Sequence, residues 1–100
     1  MRIIYKYRLP VDGDTIVINE CIEQILAIQN QVDKPTMWAI VNTEKKGMPL
    51  EITAIGTGWS LPPEFDRYIG TLQDYAGYVW HYFTTSTKSN DMEGLFDACM

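Results

Sequence analysis

Ile3, Tyr5, Tyr7 and Leu9 alternate with Ile4, Lys6 and Arg8 along the opening of the chain. A period-2 pattern rich in strand formers predicts a strand over Arg2 to Leu9. Pro-Val-Asp-Gly-Asp follows, and Asp12-Gly13 is a strong tight-turn pair. Thr15 to Asn19 is a short β-branched run, so the two segments are expected to pair as a hairpin. Glu20 to Val32 reads both ways: Ile22, Ile25, Leu26 and Gln29 follow helical spacing, while Leu26, Ile28 and Asn30 alternate as in a strand. Asp33-Lys34-Pro35 breaks the pattern, and Pro35 rejects any helix running through it. Thr36 to Asn42 is apolar on both faces and reads as an interior strand. The charged stretch Thr43 to Pro49 reads as a turn before the alternating strand Leu50 to Thr57. Beyond a loop over 56–67, Tyr68 to Gln73 and Tyr78 to Thr85 form a second hairpin pattern.

The tail is polar from Ser86 to Asn90. Asn90 with Glu93 has the form of a capped helix start, which would dock Leu95 and Phe96, although Gly94 weakens it. Short strands at roughly ten-residue spacing with turn signals between them point to a single, mostly β domain. The expected fold is an antiparallel β-sandwich or partly open barrel of about seven strands over 1–85. A tail over 86–100 with a short C-terminal helix completes it.

Composition narrows the functional classes. The chain has 100 residues and a net charge of −5, with eight basic residues scattered along it. Neutralising a phosphate backbone requires a dense basic surface, so nucleic acid is disfavoured as a partner. No apolar run approaches the ~20 residues of a membrane helix. The opening Met-Arg-Ile-Ile-Tyr-Lys-Tyr-Arg lacks the apolar core of a signal peptide. The expected location is therefore the cytoplasm, where Cys21 and Cys99 read as two free thiols.

Ile-Tyr-Lys-Tyr near the start, Trp-Ala-Ile-Val in the middle, Gly-Thr-Gly, Tyr-Ile-Gly-Thr-Leu-Gln and Val-Trp-His-Tyr-Phe carry a resemblance. Over about Arg2 to Phe83 the chain resembles a family of small bacteriophage and prophage proteins that carries a domain of unknown function. The resemblance implies that Ile25 to Gln31 is a strand. It also implies a phage setting inside a host cell, where small acidic proteins antagonise host enzymes or host defence. Its motifs are core-type residues and transfer no chemistry.

The candidate chemistry is sparse. Ile-Gly-Thr occurs at Ile55–Thr57 and again at Ile69–Thr71, on either side of the long loop. A phosphate cradle needs converging backbone N–H groups that lead into a helix, and no Gly-Lys-Ser/Thr or helical pattern follows here. Gly56, Gly58 and Gly70 read instead as places of positive φ or of close approach by a neighbouring strand. His81 is the only histidine, and a structural zinc site wants four Cys or His ligands. It reads as a partly buried, hydrogen-bonded residue; Asp66 and Asp74 are the carboxylates available to orient it, without a motif to support either. Glu64 and Asp66 form no fixed acid/base pair. Asp12 and Asp14 are explained by turn chemistry.

Recognition is the better prospect. Trp59, Phe65, Arg67 and Tyr68 are types enriched at binding hot spots, on a loop stiffened by Pro62-Pro63. Twelve aromatic residues in one hundred exceed what the inner faces hold. An outward stripe of Tyr78, Trp80 and Tyr82 is expected to form an interface, most simply with a second copy of the chain. The sequence thus points to a non-enzymatic phage accessory protein that binds and inhibits a host protein and uses no cofactor or metal. A sequestering protein for a nucleotide signal, roofed by Trp59 and Tyr68, is the alternative, followed by a minor virion or assembly protein.

Overall fold

The computed structural model describes residues 1–85 and Cys99. Five strands form one antiparallel sheet that does not close: β1 (Arg2–Arg8), β2 (Thr15–Gln31), β3 (Lys34–Gly56), β4 (Arg67–Gln73) and β5 (Val79–Thr84). Among the described residues there is no helix, and the Asn90–Phe96 helix expected from sequence lies outside them. The seven segments legible in the sequence become five because two neighbouring pairs fuse. Thr15–Asn19 and Ile25–Gln31 are both parts of β2, and Thr36–Asn42 and Leu50–Gly56 are both parts of β3. Neither a sandwich nor seven strands describes this sheet.

β3 organises the fold. β2 pairs with it along nearly its whole length, from Gln31↔Lys34 to Thr15↔Thr53. β1 pairs with its first half, Arg2↔Asn42 to Arg8↔Thr36, and β5 with its end, Ile52↔Thr84 to Gly56↔Trp80. The predicted hairpin of the first two segments is therefore corrected: both pair with β3, not with each other. Arg8 lies beside Thr36 and Thr15 beside Thr53. Seven residues reach at most ~25 Å, whereas a straight strand from 36 to 53 would span about 56 Å. The principal extents of 38 × 31 × 21 Å leave no room for a straight 23-residue strand either. β3 must bend sharply between its halves.

The bend falls on Thr43 to Pro49, the stretch that the sequence presents as a turn. It stays extended because β2 bends with it, through register shifts between Ile18 and Glu20, Glu20 and Cys21, and Ile22 and Gln24. Gly47 makes the close approach feasible, since a Cβ there would fall on the Asn19 carbonyl and the Glu20 backbone. Cys99 completes the crossing: it bridges to Gly47 and forms a disulfide with Cys21, with the two Cα atoms 4.7 Å apart. The expectation of two free thiols is thus overturned. Sequence could not foresee it, because the partners are 78 residues apart and only the bend brings them together.

Folding the sheet on itself encloses Ile18, Ile22, Met37, Ala39, Val41, Leu50, Ile52, Ala54, Leu72, Trp80 and Tyr82. β4 reaches back to β2, where Gly70 lies against the Ile28 side chain and Asn30 Nδ2 donates to the Gln73 carbonyl. The Tyr82 hydroxyl, fully buried, donates to the Pro10 carbonyl at 2.8 Å. Burial, with the nearby Asp74 charge adding to it, raises the Tyr82 pKa above its ordinary value.

The β2–β3 turn contains a built-in strain. Val32 and Asp33 both have positive φ, 48° and 64°, and Val32 is 87% exposed. Left-handed backbone is costly for a β-branched residue, and such two-residue turns favour Asn-Gly. Replacing Val32 and Asp33 by Asn and Gly is expected to stabilise the fold by about 1 kcal/mol, read as a rise in the denaturant midpoint at unchanged slope.

Candidate functional site

The long loop leaves β3 through a turn in which Trp59 N–H donates to the Gly56 carbonyl at 3.0 Å, with Gly58 at φ 87°. No helix begins near Ser60, so the loop is a connection between strands and not an anion cradle. Its first residues turn the Trp59 ring back over the strand it has just left. A Cβ on Gly56 would stand 2.6 Å from that ring, and one on Gly13 3.3 Å from it. The two glycines form a seat for the indole that any larger residue would fill.

Around this seat lies a groove of about 680 Å³. It is lined by Trp59 with Gly56 and Thr57, by Asp74 and Ala76 to Trp80 around the β4–β5 turn, and by Val11 and Asp12. That volume lies within the usual range of small-ligand and side-chain sites. Trp59 meets Trp80 edge-on at 5.5 Å between ring centroids, and Tyr78 lies 6.1 Å from Trp80 on the other side. Trp80 is only 5% exposed and forms the floor, while Trp59 and Tyr78, at 47% and 64%, form accessible walls.

Asp74 fixes the arrangement. One of its carboxylate oxygens accepts from Trp80 Nε1–H at 2.8 Å, the other from Tyr78 N–H at 2.9 Å. Tyr78 N–H therefore serves Asp74, while the Asp74 N–H donates to the Tyr78 carbonyl and closes the turn. The bond from Trp80 comes first among the causes that hold the Asp74 carboxyl below its ordinary pKa, with turn N–H groups adding to it. Asp12 stands on the opposite rim, held there by the turn in which Asp14 N–H donates to the Val11 carbonyl. Among the described residues no Lys, Arg or His lines the groove.

The sequence-predicted residues divide. Trp59, Trp80 and Tyr78 come together in the groove. Tyr68 does not: its ring packs edge-on against Phe83 at 5.5 Å, on the opposite face of β5, and no Trp59–Tyr68 roof forms. Phe65 is half-buried in a turn closed on Pro62, and Arg67 is half-buried as the first residue of β4, paired with Thr84. The outward stripe of Tyr78, Trp80 and Tyr82 is corrected as well. Alternation does place Trp80 and Tyr82 on one face of β5, but that face is the core side, with Tyr82 at 0% exposure. Of the three residues, Tyr78 alone is exposed.

His81 lies on the outer face of β5, and Asp74 is engaged elsewhere. Its Nε2 is bonded to Thr57 Oγ1 at 2.8 Å and its Nδ1 to Thr71 Oγ1 at 3.0 Å, which in turn bonds the Tyr68 hydroxyl at 2.7 Å. The doubled Ile-Gly-Thr is thereby explained. Ile55 and Thr71 both pair with His81 from opposite sides, so each copy of the triplet delivers a threonine to one imidazole nitrogen. Among the described residues no carboxylate orients the ring, and the arrangement ties three strands together.

Residues 1–92 match the model of the Domain of unknown function (DUF7352). The chain belongs to the DUF7352 family. The match covers the whole sheet and runs past Phe83 into the tail, further than the resemblance read from sequence. No curated protein and no solved structure matches the chain. For this DUF7352 domain, the groove is the feature from which a function has to be argued. Sequence inspection found its aromatic walls but missed Asp74 as its organiser, and Gly56 and Gly13 as the seat. The Gly-Thr-Gly-Trp order was the available signal: glycines two apart, followed by an indole, allow the ring to fold back on its own strand.

Proposed function

We propose that this DUF7352 protein is a non-enzymatic binding module that occupies a site on another protein through the Trp59 groove. In the phage setting implied by the resemblance, the partner is a host component such as a defence or nucleic-acid-handling complex, which binding inhibits. One observation carries the reading: a preformed aromatic groove whose lining, among the described residues, holds two carboxylates and no basic residue. Aromatic anchors in a rigid setting cost little side-chain entropy on binding, as recognition surfaces require. The net charge of −5 steers the protein towards basic surfaces. A nucleotide ligand gains less support, because phosphate calls for converging N–H groups or Lys and Arg, and the lining offers carboxylates.

The test is capture of a partner from host lysate by the tagged protein, with two variants beside it. Trp59→Ala is expected to release a stoichiometric partner, and Tyr68→Ala, on the other face of β5, to retain it. Retention by Trp59→Ala would remove the groove from the contact surface.

A further inference from the structure

β1 forms an edge of the sheet. Among the described residues it pairs with β3 alone, in an unbroken register from Arg2↔Asn42 to Arg8↔Thr36. Thr43 N–H donates to the Met1 carbonyl at 2.8 Å, and Leu9 N–H to the Pro35 carbonyl at 2.9 Å. Carried along that register, these bonds mark Ile3, Tyr5 and Tyr7 as the residues whose backbone groups serve β3. The N–H and C=O groups of Arg2, Ile4, Lys6 and Arg8 therefore point away from β3, at the spacing an added strand needs.

The side chains decide which strand fits. Three of those four residues are cationic, and β1 contains no carboxylate. Arg2 is ion-paired with Glu23 at 2.7 Å. Lys6 donates to the neutral Gln31 Oε1 at 3.0 Å, and among the described residues neither Lys6 nor Arg8 has an ion pair. Ile4, between the cations, is 60% exposed. A second copy is a poor occupant. Antiparallel self-pairing about Tyr5 sets Arg2 against Arg8, about Ile4 it sets Arg2 against Lys6, and about Lys6 it sets lysine against lysine. Like charges directly opposite destabilise, which is how charged edges resist self-association. An acidic strand turns the same charges into attraction. The net charge of −5 acts during approach, whereas at contact the charges within a Debye length, about 8–10 Å, dominate.

We propose that the edge of β1 receives an acidic, extended segment of a partner protein as an added antiparallel strand. Carboxylates stand opposite Arg8 and Lys6, and an apolar residue opposite Ile4. Main-chain bonds supply affinity and the alternate side chains selectivity. This surface is separate from the Trp59 groove, whose lining contains no residue of β1.

Fluorescence anisotropy of a labelled, glycine-flanked peptide, Asp-Thr-Glu-Thr-Ile-Thr-Val, titrated with the intact protein tests it. The peptide is expected to bind saturably, and one with lysine at both acidic positions about tenfold more weakly. N-methylation of its Asp, Glu and Ile blocks main-chain pairing at unchanged charge and is expected to abolish binding. Ile4→Pro removes one outward N–H and no bond to β3, so it is expected to weaken binding with strand content kept, as judged by circular dichroism. The N-methylated peptide makes the same test on the unaltered protein. Arg8→Glu is expected to weaken the acidic peptide and strengthen the lysine one, and Trp59→Ala to leave both unchanged. Equal binding of the N-methylated or the lysine peptide, loss of binding in Trp59→Ala, or no saturable binding would overturn the proposal. So would a concentration-dependent dimer in sedimentation that Ile4→Pro dissolves, because the edge would then belong to a second copy. Partner capture through Trp59 tests the groove separately.

Discussion

Opening the Cys21–Cys99 disulfide is expected to lower the melting temperature by roughly 15–30 °C. The bond closes a loop with a sequence separation of 78 residues, and the chain-entropy account assigns a closure of that length about 4 kcal/mol. A domain of this size shifts by roughly 4–8 °C for each kcal/mol. Cys99→Ala is the variant of choice, because Cys21 is only 1% exposed and, left in place, continues to pack as a small apolar residue. Thermal unfolding of the wild type with and without reductant, beside Cys99→Ala, should give two matching destabilised curves. A wild type that melts at the same temperature in both conditions would show that the bond adds nothing to the fold.

The second large effect belongs to Gly47. Substitution by alanine places a Cβ on the Asn19 carbonyl and the Glu20 backbone, where no flexible side chain can yield. The β2–β3 crossing must then open, and overpacking of this kind costs about 3 kcal/mol or more where backbone has to move. Denaturant unfolding of Gly47→Ala should show a large fall in midpoint. An unchanged midpoint would mean that the two strands are not in close contact there. Because Gly47 also bridges to Cys99, the variant is expected to form the disulfide more slowly on refolding, which thiol trapping measures.

Much of the sheet was legible. β1, the end of β3, β4 and β5 all follow period-2 alternation, and the β4–β5 hairpin was read correctly with its turn. β3 was recognised as interior because its first half is apolar on both faces, and it does lie between β1 and β2. The errors cluster at Glu20 and at Thr43 to Pro49, the two sides of one crossing. Polar and glycine-proline residues there gave turn signals, yet a bulged strand that bends needs the same residues as a chain that reverses. The candidate site was half legible, since residue type named Trp59, Tyr78 and Trp80. What joins them is Asp74, considered from sequence only as a carboxylate that could orient His81, whose oxygens instead hold Trp80 and Tyr78.

The sequence by itself determined that this chain is built of antiparallel strands, which residues alternate along them, and that its charge is acidic. Those properties are local, because a side chain's preference for a pleated backbone depends on its immediate neighbours. Tertiary structure alone decided that β3 bends back on itself, that Cys21 meets Cys99, that Trp80 and Tyr82 face inward, and that Trp59 closes on Trp80. Each of these depends on which face of a strand is covered by chain far away in sequence, and alternation divides residues between two faces without saying which one the core will claim.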